Sequence, residues 1–284
     1  MAVRVVDRSS RVGFVGLGNL GEPMARTLLR AGWSLTVLDQ ARHKADRCAA
    51  EGAGVAESPR ELHDCQVVAL AVPDNAAVDD VLHGDEHLLD TLPSGATVVV
   101  HSTVLPDSLQ RLAATAARRG VGVVDAPVSG GADRAATGDL TVMAGGAPEV
   151  VDAVRPLLDT VGSDVRHVGP PGAGAATKLA NQLMMFAALA GTYEALDLAA
   201  AYGVEEADVL AAVDKSTGGS WVTRHWGFFD QVAQAYDEGG TLVRDRPWSK
   251  DLAEVVAAAR AADVALPVAG LLAQYIAERV ERRG

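Results

Sequence analysis

Short β-branched segments alternate with helix-like segments through the first 169 residues of this 284-residue chain. Continuous apolar strands that alternate with amphipathic helices are typical of a parallel sheet covered by helices on both faces. The strands are predicted at residues 11–16, 34–38, 66–72, 96–101, 121–125 and 140–144. The helices between them are predicted at residues 20–31, 41–51, 75–83, 106–119 and 148–160.

The pattern changes after residue 169, where the breaker-rich segment GPPGAGA (169–175) precedes a region with helical periodicity alone. Helices are predicted there at residues 174–202, 205–215, 221–236, 249–263 and 267–281. The first of them would extend roughly 40 Å at 1.5 Å per residue, which is long enough to join two domains. We therefore predict an α/β Rossmann-type N-terminal domain (1–169) and an all-α C-terminal domain (170–284), joined by a long inter-domain helix.

A glycine-rich loop of the G-x-G-x-x-G type connects the first strand to the first helix. In such a loop the first glycine permits a tight turn and the second lets the backbone approach a pyrophosphate. The third glycine lets helix and strand pack closely, and the helix N-terminus offers free N–H groups to the anion. We predict that the loop binds a dinucleotide through Gly16, Leu17, Gly18, Asn19, Leu20 and Gly21.

Asp39 follows the second predicted strand, 18 positions after Gly21. A carboxylate there can accept hydrogen bonds from both ribose hydroxyls of NAD and repels the 2′-phosphate of NADP. Arg42 and Lys44 lie close by in the sequence and could tolerate that phosphate. NAD is therefore the expected cofactor, with NADP as the alternative.

Lys178 lies near the start of the long apolar helix, and Asn181 and Gln182 follow it by three and four residues. This spacing places the three side chains on one helical face. The residues around them are small or apolar, so we expect the lysine to be desolvated, and desolvation favours the neutral amine that a general base requires. We predict that Lys178 exchanges a proton with a substrate hydroxyl and that Asn181 orients one of the two groups.

Two further segments place polar or small groups just after predicted strands. The adjacent glycines of Ser129-Gly130-Gly131 leave backbone N–H groups available for a concave anion site, to which the serine adds a hydroxyl donor. Val72-Pro73 and Thr103 lie just past other strands, where cofactor contacts collect in open α/β sheets. We predict an anion site at the first segment and cofactor contacts at the second group.

The order of these motifs resembles the β-hydroxyacid dehydrogenases, the family of 3-hydroxyisobutyrate dehydrogenase and tartronate semialdehyde reductase. The resemblance covers nearly the full length, and its opening segment has Leu20 where the family more often has methionine. The motifs that carry it are GFVGLGNLGEPMARTLLRAG, AVPDNAAVDDVL (71–82), HSTVLPDSLQRLA (101–113), DAPVSGG (125–131), GPPGAGAATKLANQ (169–182) and WSKDLAEVVAAARAADVALP (248–267).

The resemblance implies reversible, NAD(P)-dependent oxidation of a 3-hydroxy acid to a 3-oxo acid or semialdehyde. It implies that Ser129, Gly130 and Gly131 hold the substrate carboxylate, and that Lys178 is the acid/base group. Family members differ over whether the asparagine follows the lysine by three or four positions, so the division of labour between Asn181 and Gln182 stays open. The C-terminal domain is implied to build an oligomer, for which we expect a homodimer or a homotetramer.

Two features allow more than one interpretation. Lys250 either reaches the cofactor from the C-terminal domain or is a solvated lysine at a helix start. The segment GGSWVTRHWGFF (218–229) concentrates aromatic residues in a chain with 4% of them. It is expected to serve mostly as packing, with Arg224 or Trp226 touching the substrate and His225 as a further candidate for a polar contact.

The composition excludes several other classes of protein. A net charge of −12 without a basic stripe argues against a nucleic-acid partner. Cys48 and Cys65 fit neither a disulfide framework nor a zinc motif, and His83 and His87 lack a third ligand, so no metal is expected. The apolar stretch 183–201 carries two carboxylates, which argues against a membrane span. We expect a soluble, cytoplasmic protein.

Three other functions are alternatives to a β-hydroxyacid dehydrogenase for this sequence. An imine reductase would keep the fold but usually has another residue at the lysine position. A decarboxylating enzyme of the 6-phosphogluconate type would be longer and would carry a histidine-asparagine pair after the lysine. A non-catalytic NAD(P)-binding module would typically lose the proton-handling residue, whereas this chain retains Lys178.

Overall fold

The computed structural model describes residues 4–283 and divides into two compact units, Met1–Lys178 and Leu179–Gly284. The N-terminal unit is built on one sheet of nine strands. These are β1 (Arg11–Val15), β2 (Ser34–Leu38), β3 (Gly54–Val55), β4 (Val67–Leu70), β5 (Thr97–Val100), β6 (Gly122–Asp125), β7 (Val128–Ser129), β8 (Leu140–Gly145) and β9 (Gly162–Gly169). Their order across the sheet is β3-β2-β1-β4-β5-β6-β8-β7, and β9 pairs with β8.

Strands β1 to β6 are parallel, as the alternating pattern predicts. The expectation of a wholly parallel sheet is wrong beyond β6, because β8 runs antiparallel to both β6 and β7. The short connection of residues 126–139 between β6 and β8 contains no full crossover helix, and a parallel neighbour needs such a crossover.

Helices cover both faces of the sheet, and successive side chains of one strand enter different cores. On β4, Val67 and Ala69 belong to one apolar cluster, whereas Val68 and Leu70 belong to the other. This alternation confirms the predicted three-layer arrangement. The helices of this unit are α1 (Gly21–Arg30), α2 (Arg42–Ala49), α3 (Asn75–His83), α4 (Leu88–Thr91), α5 (Pro106–Ala117), α6 (Gly131–Thr137) and α7 (Pro148–Val161), with a 3₁₀ turn at Pro59–Leu62.

The long helix α8 (Ala173–Ala201) begins in the N-terminal unit and leads into the all-helical C-terminal unit. An 18-residue window of α8 has a mean hydropathy of 1.3 and is 28% buried, so its length and composition alone would allow a membrane span. A core helix of a soluble protein satisfies the same criteria. Glu194 and Asp197 on its exposed face agree with the second interpretation.

The remaining helices of the C-terminal unit follow α8, and all but the first of them contribute buried side chains to a cluster that includes Phe186 of α8 and Trp248. They are α9 (Glu206–Asp214), α10 (Trp221–Arg224), α11 (Phe228–Glu238), α12 (Pro247–Ala261) and α13 (Pro267–Glu281), with a 3₁₀ turn at Val243–Asp245. The prediction of a single helix at residues 221–236 is wrong, because two helices occur there. Gly227 has a φ of +88°, a left-handed conformation that ends one helix and starts another.

Candidate active site

The glycine loop has the shape that a dinucleotide requires. A Cβ atom added to Gly16, whose φ is +92°, would lie 2.4 Å from the Ala71 carbonyl oxygen. A Cβ atom on Gly21 would lie 1.9 Å from the Gly16 carbonyl oxygen. Gly18, in contrast, has no atom within 4 Å of its Cβ position. The first and third glycines therefore serve packing, and the second leaves open backbone against which a pyrophosphate fits.

Asp39 lies one residue after β2 and points its carboxylate at the same loop. Its Oδ2 atom accepts a hydrogen bond of 2.6 Å from the Leu17 amide, and its Oδ1 atom accepts one of 2.7 Å from the Ala41 amide. A carboxylate offers about four lone-pair positions, so capacity for ribose hydroxyls remains. Leu17 is buried, whereas Asn19 and Leu20 are exposed at the rim of the loop.

The cation nearest in sequence to Asp39 is already engaged by carboxylates. Arg42 donates to Asp46 over 3.0 Å and also pairs with Glu57. A guanidinium with two acidic partners attracts a 2′-phosphate less than a free one does.

Three other predicted cofactor residues lie just past the carboxyl ends of β4 and β5. The Val72 amide donates a 3.0 Å hydrogen bond to Ser102 Oγ, which ties the two strand ends together. Pro73 is exposed and Thr103 is half-buried on the same segments. Ser102 is a residue that our sequence reasoning missed, although it adjoins Thr103 in a motif that we had identified.

The Ser129-Gly130-Gly131 segment connects β7 to α6. Ser129 pairs with Thr141 across the antiparallel β7–β8 ladder. Gly131 has a φ of +78°, and a Cβ atom on Gly130 would lie 3.0 Å from Leu140 Cδ2. Both positions therefore favour glycine, and the three residues are half-buried. The positive φ values of Gly130 and Gly131 therefore turn the backbone between β7 and α6.

Asp125, the last residue of β6, is a fully buried carboxylate that the sequence reasoning did not single out. Its Oδ1 atom accepts a 2.8 Å hydrogen bond from the Gly172 amide, and its Oδ2 atom accepts one of 2.9 Å from the Ala175 amide. Burial raises the pKa of the Asp125 carboxyl, and these backbone hydrogen bonds act in the opposite direction. The carboxylate thus caps the first turn of α8 from a different element.

His101 follows β5 and is also buried. One ring nitrogen, Nδ1, lies 2.7 Å from the Ala126 carbonyl oxygen, and the ring stacks on Phe14. Burial lowers the pKa of His101 to about 4, so the ring is neutral at physiological pH and Nδ1 is the donor. This hydrogen bond fixes the backbone that leads into the Ser129 segment.

Lys178 is buried, with 9% of its surface exposed, which confirms the expected desolvation. Asn181 is half-buried, and its Nδ2 atom donates a 3.0 Å hydrogen bond to Gln182 Oε1. These residues follow one another within a single continuous helix. A buried amine held on a rigid element can exchange a proton with a bound hydroxyl.

In the C-terminal unit, Gln182 belongs to a buried polar chain. Its Nε2 atom donates a 2.6 Å hydrogen bond to Asp251 Oδ2, and Lys250 Nζ lies 3.3 Å from Asp251 Oδ1. Asp251 and Gln182 are each 4% exposed. Lys250 is therefore an ion-paired lysine in the first turns of α12 rather than a fully solvated one. Asp251 is a further polar residue that the sequence reasoning did not identify.

Trp226 is held by several contacts inside the C-terminal unit. Its Nε1 atom donates a 2.7 Å hydrogen bond to Glu206, its ring meets Tyr193 edge-on, and the Arg283 guanidinium lies 4.7 Å from the ring centre. Arg224 ends α10 and is exposed. These contacts agree with the predicted packing role of the aromatic segment.

The cysteines and histidines outside this region form no reactive cluster within residues 4–283. Cys48 and Cys65 are buried free thiols, and burial raises the pKa of each to about 11. That range keeps both thiols protonated and unreactive. No group of three potential metal ligands occurs in the described part of the chain.

The chain matches two known families of domains. Residues 11–169 match the NAD-binding domain of 6-phosphogluconate dehydrogenase. Residues 172–284 match the family described as NAD-binding of NADP-dependent 3-hydroxyisobutyrate dehydrogenase.

Individual members of these families are similar to this chain over most of its length. The NAD-dependent L-serine dehydrogenase of Pseudomonas aeruginosa is 35% identical over 92% of this chain and 89% of its own length. The 2-(hydroxymethyl)glutarate dehydrogenase of Eubacterium barkeri is 31% identical over 95% of this chain and 89% of its own. The structure of Mycobacterium tuberculosis 3-hydroxyisobutyrate dehydrogenase with L-serine is similar, with a TM-score of 0.83 and 26% identity, over 96% of this chain and 94% of that chain.

These matches span both units and agree with the glycine loop, the acidic residue after β2 and the lysine-bearing helix described above. They also argue against a module without catalytic activity. The chain belongs to the β-hydroxyacid dehydrogenase family, the 3-hydroxyisobutyrate dehydrogenase-like enzymes, and is an NAD(P)-dependent dehydrogenase that acts on a CH–OH group.

Proposed function

We propose that this enzyme oxidises a small 3-hydroxy acid related to 3-hydroxyisobutyrate and gives the semialdehyde or 3-oxo acid. The compounds named for the relatives share one skeleton: serine, 2-(hydroxymethyl)glutarate and 3-hydroxyisobutyrate are all HOCH₂–CH(R)–COO⁻ and differ only in R. A carboxylate site and a hydroxyl site two bonds apart would serve this skeleton. The observation that carries the proposal is the burial of Lys178 on a helix anchored to the strand that enters the Ser129 segment.

The proposed roles follow from the chemistry of each group. The Ser129 hydroxyl and the backbone N–H groups of Gly130 and Gly131 would hold the substrate carboxylate. Lys178, as the neutral amine, would take the hydroxyl proton, and Asn181 would orient the hydroxyl. A bound nicotinamide would supply the hydride acceptor for the carbon that bears this hydroxyl, so that the alcohol would lose one proton from oxygen and one hydride from carbon. In reduction Lys178 would return the proton.

For the cofactor, we propose NAD as the preferred form. The Asp39 carboxylate would accept hydrogen bonds from the ribose hydroxyls and would repel a 2′-phosphate, and the guanidinium of Arg42 is paired with Asp46 and Glu57. Val72, Pro73 and Thr103 would contact the same cofactor from neighbouring strand ends. Lys250 would add a contact from the C-terminal unit.

The variable group R would define which hydroxy acid is used. We propose that Gln182, Arg224 and Trp226 contribute to its recognition. Cytoplasmic location and a homodimer or homotetramer are further parts of the proposal, with residues 1–169 as the dinucleotide-binding domain and 170–284 as the substrate and oligomerisation domain.

A spectrophotometric screen tests the proposal. The purified enzyme would be assayed with NAD and with NADP against 3-hydroxyisobutyrate, L-serine, 2-(hydroxymethyl)glutarate, 3-hydroxypropionate, glycerate and 4-hydroxybutyrate. We expect turnover with at least one HOCH₂–CH(R)–COO⁻ compound and a higher kcat/KM with NAD. Activity confined to 4-hydroxybutyrate or to cyclic imines would contradict the proposed substrate class, and a tenfold preference for NADP would contradict the cofactor.

A further inference from the structure

We propose that Asp125 is a positioning residue for Lys178. By binding two amides at the start of α8, its carboxylate would fix where the lysine lies and in which direction it points. This inference rests on the proposed function, because it assigns Asp125 a role through Lys178.

The two hydrogen bonds of Asp125 are unusual in what they connect. The Gly172 amide directly precedes α8 and the Ala175 amide lies in its first turn, and they are 47 and 50 residues away from Asp125 in the sequence. The first N–H groups of a helix have no partner inside the helix, and a carboxylate there is favoured by both hydrogen bonding and the helix dipole. One side chain at the end of β6 thus replaces a local cap.

Close packing holds the start of α8 rigidly against Asp125. Gly145 pairs with Asp125 across the sheet, and a Cβ atom on Gly145 would lie 2.6 Å from Asp125 Oδ2. A Cβ atom on Gly174 would lie 2.2 Å from the Met143 carbonyl oxygen and 2.9 Å from Asp125 Oδ2. The helix therefore approaches the sheet more closely than any residue with a side chain would allow at these two positions.

A helix bound at two points where it begins is fixed in rotation as well as in translation. Lys178 lies three residues after Ala175, about 4.5 Å further along the axis at 1.5 Å per residue. Each residue turns the helix by about 100°, so a small rotation of the first turn carries the lysine side chain to another direction. Without the carboxylate, the amides of Gly172 and Ala175 would lose their buried acceptor.

The same carboxylate also belongs to the chain segment that leads into the proposed carboxylate site. Ser129 is four residues after Asp125, and His101 holds the Ala126 carbonyl in between. Asp125 therefore connects the segment proposed to hold the substrate with the helix that carries the proposed base. Misplacement of reacting groups by about 1 Å can lower a rate by about a hundredfold.

The test uses the full-length Asp125→Asn variant, which keeps the shape of the side chain but loses the charge and one acceptor. Rates would be expressed per NADH-binding site, so that unfolded protein does not count. Steady-state kinetics would be measured in H₂O and in D₂O. Asp107→Asn, which removes an exposed carboxylate from the first turn of α5, is the matched control.

We expect kcat of Asp125→Asn to fall about 10- to 100-fold, with the KM for NAD within about twofold of wild type and a larger solvent isotope effect. A larger isotope effect means that proton transfer has become slower relative to the other steps, which a loss of folded protein would not produce. Asp107→Asn should match wild type. If Asp125→Asn folds poorly, the smaller Asp125→Ser variant would be measured in the same way.

An unchanged kcat per binding site, or a lower kcat with an unchanged solvent isotope effect, would overturn the role of Asp125. Failure of the proposed function looks different: Lys178→Ala would then keep its turnover, or wild type would oxidise no hydroxy acid. Loss of turnover in Lys178→Ala together with wild-type behaviour of Asp125→Asn would overturn this inference alone.

Discussion

At the scale of single residues, polar side chains at strand ends organise the N-terminal unit; His101 and Asp125 are buried and Asp39 is half-buried. Asp39, His101 and Asp125 each directly follow or end an apolar strand, and each holds a backbone group of another segment. Burying such a group without a partner costs free energy, so each one stabilises a particular loop conformation only while its partner stays in place.

His101 should make the enzyme sensitive to mild acid. Its pKa is about 4 in the folded protein and 6.5 in the unfolded chain, so between these values the unfolded chain binds a proton that the folded one does not. Stability from this residue is complete above 6.5 and is lost as the pH falls toward 4. Between about pH 7.5 and about pH 5 the loss is about 2 kcal/mol.

The His101→Asn variant can still donate to Ala126 but does not titrate. Urea unfolding at the two pH values should therefore show a pH-dependent loss of stability that is smaller by about 2 kcal/mol in the variant than in wild type. An equal loss in both proteins would mean that His101 is not the group responsible.

Asp39 should control the choice between the two nicotinamide cofactors. Replacing it with serine removes a charged acceptor from the ribose hydroxyls, and hydrogen bonds to charged groups contribute about 1.5–3 kcal/mol. We expect kcat/KM with NAD to fall about 10- to 100-fold, while kcat/KM with NADP falls less or rises. Asp107→Asn, which removes an exposed carboxylate from the first turn of α5, is the control. An unchanged NAD:NADP ratio in Asp39→Ser would contradict the role.

At the scale of elements, the sequence predicts those with strong apolar patterning and misses those without it. Strands β1, β2, β4, β5, β6 and β8 agree with the predicted ranges to within two residues at each end. Strand β9, with the sequence GSDVRHVG, is mostly polar and exposed because it lies at an edge. The two-residue strands β3 and β7 and the short helices α4 and α6 carry too few residues for any period to be visible.

Two glycines of the glycine loop are expected to differ in their roles, Gly18 in ligand binding and Gly21 in packing. In Gly18→Ala the methyl group meets no protein atom within 4 Å, so stability should change by less than about 0.5 kcal/mol. The methyl group would lie in the space proposed for the pyrophosphate, and NADH should bind at least about tenfold more weakly, a loss of about 1.4 kcal/mol.

In Gly21→Ala the methyl group would lie 1.9 Å from the Gly16 carbonyl oxygen, and this variant should lose at least about 2 kcal/mol of stability. Thermal unfolding and fluorescence titration with NADH measure the two quantities. Normal NADH binding by Gly18→Ala would contradict the proposed position of the cofactor.

At the scale of the whole molecule, the sequence predicts the candidate site through motifs but not through long-range contacts. The glycine loop, Asp39 and Lys178 are visible because each has a fixed place relative to a strand or helix. Asp125 and Asp251 are not, since their importance comes from partners 47 and 69 residues away. A charged residue that ends an otherwise apolar strand, such as Asp125, is the signal that could have indicated the first of them.

The proposed oligomer is testable through the C-terminal unit. Several of its large apolar side chains are more than half exposed: Met184, Leu198, Val268 and Leu271. Exposed apolar groups concentrated in one unit are typical of subunit contacts. Light scattering after gel filtration should give the mass of two or four chains, and Leu271→Glu should shift the mass toward one chain.

Val5→Glu changes an equally exposed apolar side chain in the N-terminal unit and should leave the mass unchanged. A wild-type mass equal to a single chain would contradict the proposed oligomer.

Lys178 is proposed to exchange a proton with the substrate hydroxyl, and the rest of the mechanism depends on this step. The most direct measurement compares Lys178→Met with Lys215→Met, which changes an exposed lysine at the end of α9. We expect that Lys178→Met binds NADH as wild type does but loses at least about 100-fold in kcat, whereas Lys215→Met retains full activity. If Lys178→Met retained more than about a tenth of the wild-type kcat, the proton-transfer role would be contradicted.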